Sequence, residues 1–180
     1  ACAFRFISSE YGMVGCLSKQ FKNGKLISAQ LPYKDGDMLY AVLTRKADLG
    51  TSAVLIRRVA LDDVGYFDEN LSRHQDLQLF AALCSKYKLK LEKKYLVNRE
   101  VKDNSNRPRT PQKVIEIKEK YFKSIGYIMD RLPPRQQGQI HLMHDFEVAN
   151  VYRKNGDMNK CYRIMTSIIV NPKACYLAIR

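Results

Sequence analysis

Apolar and polar positions change period several times along this chain, and each change predicts an element. Tyr11 to Cys16 is mostly apolar and β-prone, Lys22-Asn23-Gly24-Lys25 supplies an Asn-Gly turn, and Leu26 to Leu31 alternates in polarity. That pattern predicts two neighbouring strands around a tight turn. After Pro32 and the polar loop Lys34-Asp35-Gly36-Asp37, Met38 to Thr44 has a helical pattern. Gly50 to Ile56 is an apolar run bounded by Gly50 and Arg57-Arg58, which predicts a strand buried on both faces. Residues 59–64 read as a single helical turn closed by Gly65. Asp76 to Tyr87 is the clearest early helix, with Leu77, Phe80, Ala81 and Cys84 on one face, and a strand over Leu89 to Val97 follows.

The polar, proline-containing stretch from Lys102 to Pro111 predicts a long loop and a boundary. Thr110 and Pro111 then open a helix whose core stripe is Val114, Ile117, Tyr121, Ile125, Ile128 and Leu132, and Pro133-Pro134 stops it. Helices over Gln137 to Arg153 and Met158 to Val170, joined by Asn155-Gly156-Asp157, form a terminal helical pair. The expected fold class is α/β over residues 1–108, followed by an all-helical extension over 109–180.

Composition narrows the class. With 46% hydrophobic and 27% charged residues, the 180-residue chain is globular despite a net charge of +13, so it is not a disordered polycation. No apolar run approaches the roughly 18 residues a membrane-spanning helix needs. Cys2, Cys16, Cys84, Cys161 and Cys175 are odd in number and widely spaced, which disfavours a disulfide framework or a zinc ribbon and points to reduced thiols in a cytoplasmic setting. The positive charge suits nucleic acid, an anionic membrane face or a phosphorylated substrate. No recognition signature for nucleic acid accompanies it, so nucleic acid is the weakest of the three. A basic binding module for nucleic acid or protein, and a helical-repeat scaffold, are the non-enzymatic alternatives.

Three motifs stand in order: Gly50-Thr51-Ser52-Ala53-Val54-Leu55-Ile56-Arg57-Arg58, Val64-Gly65-Tyr66-Phe67-Asp68-Glu69-Asn70-Leu71, and His74-Gln75-Asp76-Leu77-Gln78-Leu79. Their order and spacing resemble the acceptor-side half of a family 2 glycosyltransferase of the GT-A type, over about Tyr11 to Pro108. The resemblance implies a partial GT-A, Rossmann-like sheet half. It also implies transfer of a sugar from a nucleotide-diphosphate donor to a saccharide or lipid-linked acceptor, with inversion at the sugar carbon. In that family the aspartate of the Glu-Asp or Gln-Asp pair is the catalytic base, which makes Asp76 the candidate. Independently, a carboxylate suits a base for an acceptor hydroxyl, and the first turn of a helix holds it ionised. The same position also suits a simple helix cap.

The resemblance further implies substrate contacts at Gly50, Thr51, Ser52, Asp68, Glu69, His74 and Gln75, with small residues at the sheet mouth admitting substrate to the backbone. Arg57 is the candidate for diphosphate binding, with Arg58 as surface charge. The segment Asn98 to Ser105 resembles a family stretch in which a histidine lies near metal and diphosphate; this chain has Lys102 there, whose ammonium suits direct contact with diphosphate. A divalent Mn or Mg is implied, yet the Asp-x-Asp that would hold it does not precede Tyr11. Asp35-Gly36-Asp37 matches the letters only, and His141 with His144 and Asp145 lacks a further ligand group. Hence no metal ligand is assigned. The expectation is a C-terminal portion of a longer enzyme that transfers no sugar alone, working in the cytoplasm or in peripheral contact with the inner face of a membrane.

Overall fold

A computed structural model describes residues 8–101, 108 and 110–170. The chain divides into two units, one holding residues 1–68 and 75–105 and the other residues 69–74 and 106–180.

The first unit is α/β and is organised around one strand. β1 (Tyr11–Lys22) turns through Asn23 and Gly24 into β2 (Lys25–Ala29), and both turn residues have positive φ, 50° and 74°. That is the backbone a tight hairpin with right-handed strand twist requires, and the reason for Asn-Gly there. β3 (Val54–Ile56) also runs antiparallel to β1, pairing Met13 with Ile56 and Gly15 with Val54. β4 (Lys88–Glu100) runs parallel to β1 for almost its whole length, from Tyr11 opposite Lys88 to Phe21 opposite Glu100. The four-stranded sheet is therefore mixed: β4 takes one edge of β1, while β3 and β2 divide the other.

The run Gly50 to Ile56 departs from its expected form. Thr51–Ala53 closes a 3-10 turn, with the Ala53 amide donating to the Gly50 carbonyl at 2.8 Å, so only three residues remain as strand. Leu55 is 47% exposed, which overturns burial on both faces. Apolar composition alone does not bury a strand whose pairing ends after three residues.

α1 (Leu39–Leu43), α2 (Arg58–Val64) and α3 (Gln75–Cys84) complete this unit. α2 makes nearly two turns where a single turn was expected. α3 is buried over Leu79, Phe80, Ala81, Ala82, Leu83 and Cys84, so its second half is apolar all round, while its first half carries half-buried Gln75, Asp76 and Gln78. Leu79, Phe80 and Leu83 share a core with Met13, Val42, Leu49 and Leu89. Burial pushes the Cys84 thiol up to about 12. A thiol that stays protonated is a poor nucleophile. Peptide mapping after alkylation at mildly basic pH should thus find half-buried Cys16 labelled well before Cys84, and Cys84 labelled only once the unit is unfolded.

Gly15 is fixed by one atom. A Cβ there would stand 2.6 Å from the Tyr33 hydroxyl oxygen, with the next neighbours, Ala53 O and Leu49 Cδ2, at 3.8 and 3.9 Å. That hydroxyl is buried without a hydrogen-bond partner among the described residues, and its desolvation raises its pKa. Gly15→Ala should cost about 1–3 kcal/mol, as overpacking does. Adding Tyr33→Phe removes the only close atom and an unsatisfied polar group, so the double variant should regain most of that stability in urea unfolding.

Among the described residues, the second unit contains four helices: α4 (Pro111–Ser124), α5 (Gly126–Met129), α6 (Pro134–Lys154) and α7 (Met158–Val170). Of the expected stripe, Val114, Ile117, Tyr121, Ile125 and Ile128 are buried and Leu132 is half-buried, and the helix breaks at Ile125. α6 starts earlier than the sequence suggested. Pro133 is extended and ends the preceding segment, while Pro134 sits in the first turn of α6, where a missing amide hydrogen costs nothing. Gly156, with φ 80°, makes the turn into α7, whose first turn is capped by the Lys160 amide donating to Asp157 Oδ1 at 3.0 Å. Val148, Ala149 and Tyr152 pack with Cys161 across that hairpin. Among the described residues, no helix is long and apolar enough to cross a membrane.

Candidate functional site

Asp76 is the second residue of α3, directly after Gln75. It is half-buried, and its Oδ1 accepts the Leu77 amide at 2.9 Å. The amides of the first helical turn have no partners within the helix, and a carboxylate at this position can accept from them. The chain enters the helix through His74, a non-glycine residue with φ 65°. Left-handed backbone is unfavourable for such a residue and recurs where a loop must be held in one shape. In the helical unit, the His74 ring meets the Tyr121 ring edge-on with centroids 5.5 Å apart.

Asp68 groups with the α/β unit, and Glu69 with the helical one. Asp68 is half-buried and Glu69 exposed. Thr51 and Ser52 are exposed on the 3-10 turn. At Gly50, the room that the sequence suggested for substrate is taken by the chain itself. A Cβ on Gly50 would lie 3.2 Å from Arg99 Nη1, and the same guanidinium donates through Nη2 to Asp48 at 2.8 Å. A side chain at position 50 would have to push the Arg99 guanidinium aside by a few tenths of an ångström.

Arg57 stands far from there. Its amide donates to the Gly12 carbonyl at 2.8 Å and its guanidinium to the Ser8 carbonyl at 3.3 Å. Ile56 lies opposite Met13 and Arg99 opposite Gln20, so Arg57 and Arg99 are roughly 25 Å apart along β1 at the usual rise per strand residue. One phosphate does not bridge that span. Arg58 pairs with Asp62 at 3.3 Å on the surface. Lys102 lies outside the described residues.

The Asp-Gly-Asp letters are spent on structure. Asp35 is engaged by Lys90, whose ammonium holds its carboxyl below the usual range. Asp37 accepts the Leu39 amide at 3.2 Å at the start of α1. Between them, Gly36 exchanges backbone hydrogen bonds with Leu89 at 2.8 and 2.9 Å. In the helical unit, His141 stacks on Phe122 at 4.4 Å, and Nδ1 of His144 lies 2.9 Å from the Lys118 ammonium. Among the described residues, no group of three or more His, Cys, Asp or Glu side chains could hold a metal ion.

The structure also brings together residues that the sequence did not single out. A cavity of about 250 Å³ in the α/β unit is lined by Gln20, Ser28, Gln30, Lys46, Asp48 and Arg99, beside Ser18. These come from β1, β2, two loops and β4, and no local motif links them. The only trace in the sequence is Gly50, whose missing side chain admits Arg99 to the cavity wall. Searched against known protein families and curated proteins, the chain matches no family and no curated protein, so its function is argued from these residues.

Proposed function

We propose that the α/β unit is the acceptor-side half of a GT-A glycosyltransferase resembling family 2, with Asp76 as the catalytic base. The observation that carries this reading is the placement of Asp76: a half-buried carboxylate in the first turn of α3, entered through left-handed His74. In the proposed reaction, Asp76 accepts the proton of an acceptor hydroxyl as its oxygen attacks the anomeric carbon of the donor. The bond from that carbon to the diphosphate breaks, and the nucleotide diphosphate leaves with the electron pair. The attacking and leaving groups stand on opposite faces, so the configuration inverts. A base positioned within hydrogen-bond reach contributes about 10²–10⁴ in rate.

The donor is a nucleotide sugar and the acceptor a saccharide or a lipid-linked saccharide. The net charge of +13 supports a diphosphate-bearing substrate by raising its local concentration. Family resemblance implies a divalent metal, but the described residues provide no ligand set that fits one, and the chemistry assigned to Asp76 does not run through it.

The test is transfer itself. The protein as its own cell makes it is incubated with a panel of radiolabelled nucleotide sugars and a saccharide extract from that cell. Incorporation of label from one donor, with release of the matching nucleotide diphosphate, is the expected result. No incorporation from any donor, with the protein folded, overturns the reading.

A further inference from the structure

The cavity beside Gly50, which Ala29 and Leu31 line together with the polar residues, is built before any ligand arrives. Gln30 braces it: its Oε1 accepts from both the amide and the hydroxyl of Ser18 at 3.1 Å, and its Nε2 donates to the Asp48 carbonyl at 2.7 Å. The Gln30 carbonyl in turn accepts from the Tyr95 hydroxyl at 2.9 Å, and Asp48 Oδ2 holds Arg99 at 2.8 Å. Ser18 is 2% exposed, so this part of the lining is buried and held by its two bonds to Gln30. Walls held by such a network do not have to be ordered by the ligand, which removes a cost from binding.

What remains on the lining defines the ligand. Gln20, Ser28, Lys46 and Asp48 line this space; the Gln20 side-chain amide, the Ser28 hydroxyl and Asp48 Oδ1 make no hydrogen bond to another described residue, and the Lys46 ammonium lies 5.9 Å over the Tyr40 ring. Together they offer donors and acceptors in comparable number. A phosphate or carboxylate only accepts and would face the Asp48 carboxylate. A cation would face Lys46 and Arg99. A hydroxyl donates and accepts, so a ring bearing several hydroxyls satisfies both kinds of wall at once. Size agrees, since pockets for drug-sized ligands run from about 300 to 1,000 Å³ and this one is smaller. We propose that the cavity is a subsite for one hydroxyl-rich pyranose unit, held by Gln20, Ser28, Lys46 and Asp48. Describing it as the acceptor's subsite rests on the transferase reading; sugar binding here does not.

The experiment reads binding alone, so it is decided whether or not transfer is found. Methyl glycosides of the common hexoses and N-acetylhexosamines are titrated into the protein and followed in its two-dimensional amide NMR spectrum. At least one should saturably shift the amides of Gln20, Ser28, Asp48 and Gly50, with an affinity in the millimolar range, about −4 kcal/mol. Inorganic phosphate at equal concentration should leave those amides in place. Lys46→Met combined with Gln20→Leu should weaken the glycoside about tenfold, and Ser28→Val on exposed β2 should weaken it independently, with the remaining spectrum unchanged. Shifts caused by phosphate and not by glycosides overturn the proposal, as does a glycoside response that both sets of substitutions leave intact, or no response to any glycoside.

Discussion

Asp76→Asn should cut sugar transfer by about 10²–10⁴-fold, a loss of roughly 3–5 kcal/mol in transition-state stabilisation, while leaving the melting temperature nearly unchanged. Asparagine keeps the shape of the side chain and an oxygen that accepts the Leu77 amide, now 2.9 Å from Asp76 Oδ1. The helix start is therefore preserved, and what disappears is a group able to take a proton. Asp76→Ala separates the two roles, because it removes the base and the helix-terminal acceptor together; it should lose activity and also some stability, of order 1 kcal/mol for a lost cap. Initial rates and thermal unfolding of the three proteins side by side give the answer. If the Asn variant transfers at the parental rate, Asp76 is a cap and nothing more.

The second large effect is one of stability, in the helical unit. The Lys118 side chain is 8% exposed, and its ammonium lies 2.6 Å from Glu147 Oε2 and 2.9 Å from His144 Nδ1. An ammonium only donates, so in this contact Nδ1 of His144 is the acceptor. Around this group stand Tyr121 and Phe122, with centroids 5.5 and 4.9 Å from the His144 ring. Lys118→Ala removes the cation from beside Glu147 and leaves a void, and breaking a buried pair from one side costs about 3–5 kcal/mol. Glu147 retains 36% side-chain exposure, which places the expected loss toward the lower end. Lys118→Met together with Glu147→Gln keeps the volume and removes both charges, so most of the loss should be recovered. Urea unfolding of these variants, followed by a helical signal, checks it; equal midpoints for the parent and the Ala variant would show that the pair contributes nothing.

The helices were legible because their periodicity is local. The stripe from Val114 to Ile128 and the Asn155-Gly156-Asp157 turn state burial and reversal within a few residues of each other. The β1 to β2 hairpin was legible for the same reason, through Asn23 and Gly24. β3 was not, since an apolar run looks alike whether the sheet covers it or leaves Leu55 exposed. The candidate site shows the same division. Asp76 could be placed at a helix start from its neighbours alone. That Arg57 and Arg99 lie far apart along β1 depends on strand register, and the crossing of Gly50 by Arg99 joins positions that no sequence window contains together. The cavity was illegible throughout, being assembled from segments that meet only when β4 docks on β1.

That docking has a kinetic consequence. The ladder between β1 and β4 is parallel and begins beside the Lys88 to Glu10 contact, whose partners are 78 positions apart. A long loop must close before the first rung forms, and the entropy of closure is lost before any pairing energy returns. In the helical unit, α6 and α7 meet across a turn of a few residues. Pulse-labelled hydrogen exchange during refolding should protect the amides of α6 and α7 first and those of β1 and β4 last. Until then, the walls of the cavity and Arg99 at Gly50 do not yet exist, so any sugar bound there reports on the completed sheet alone.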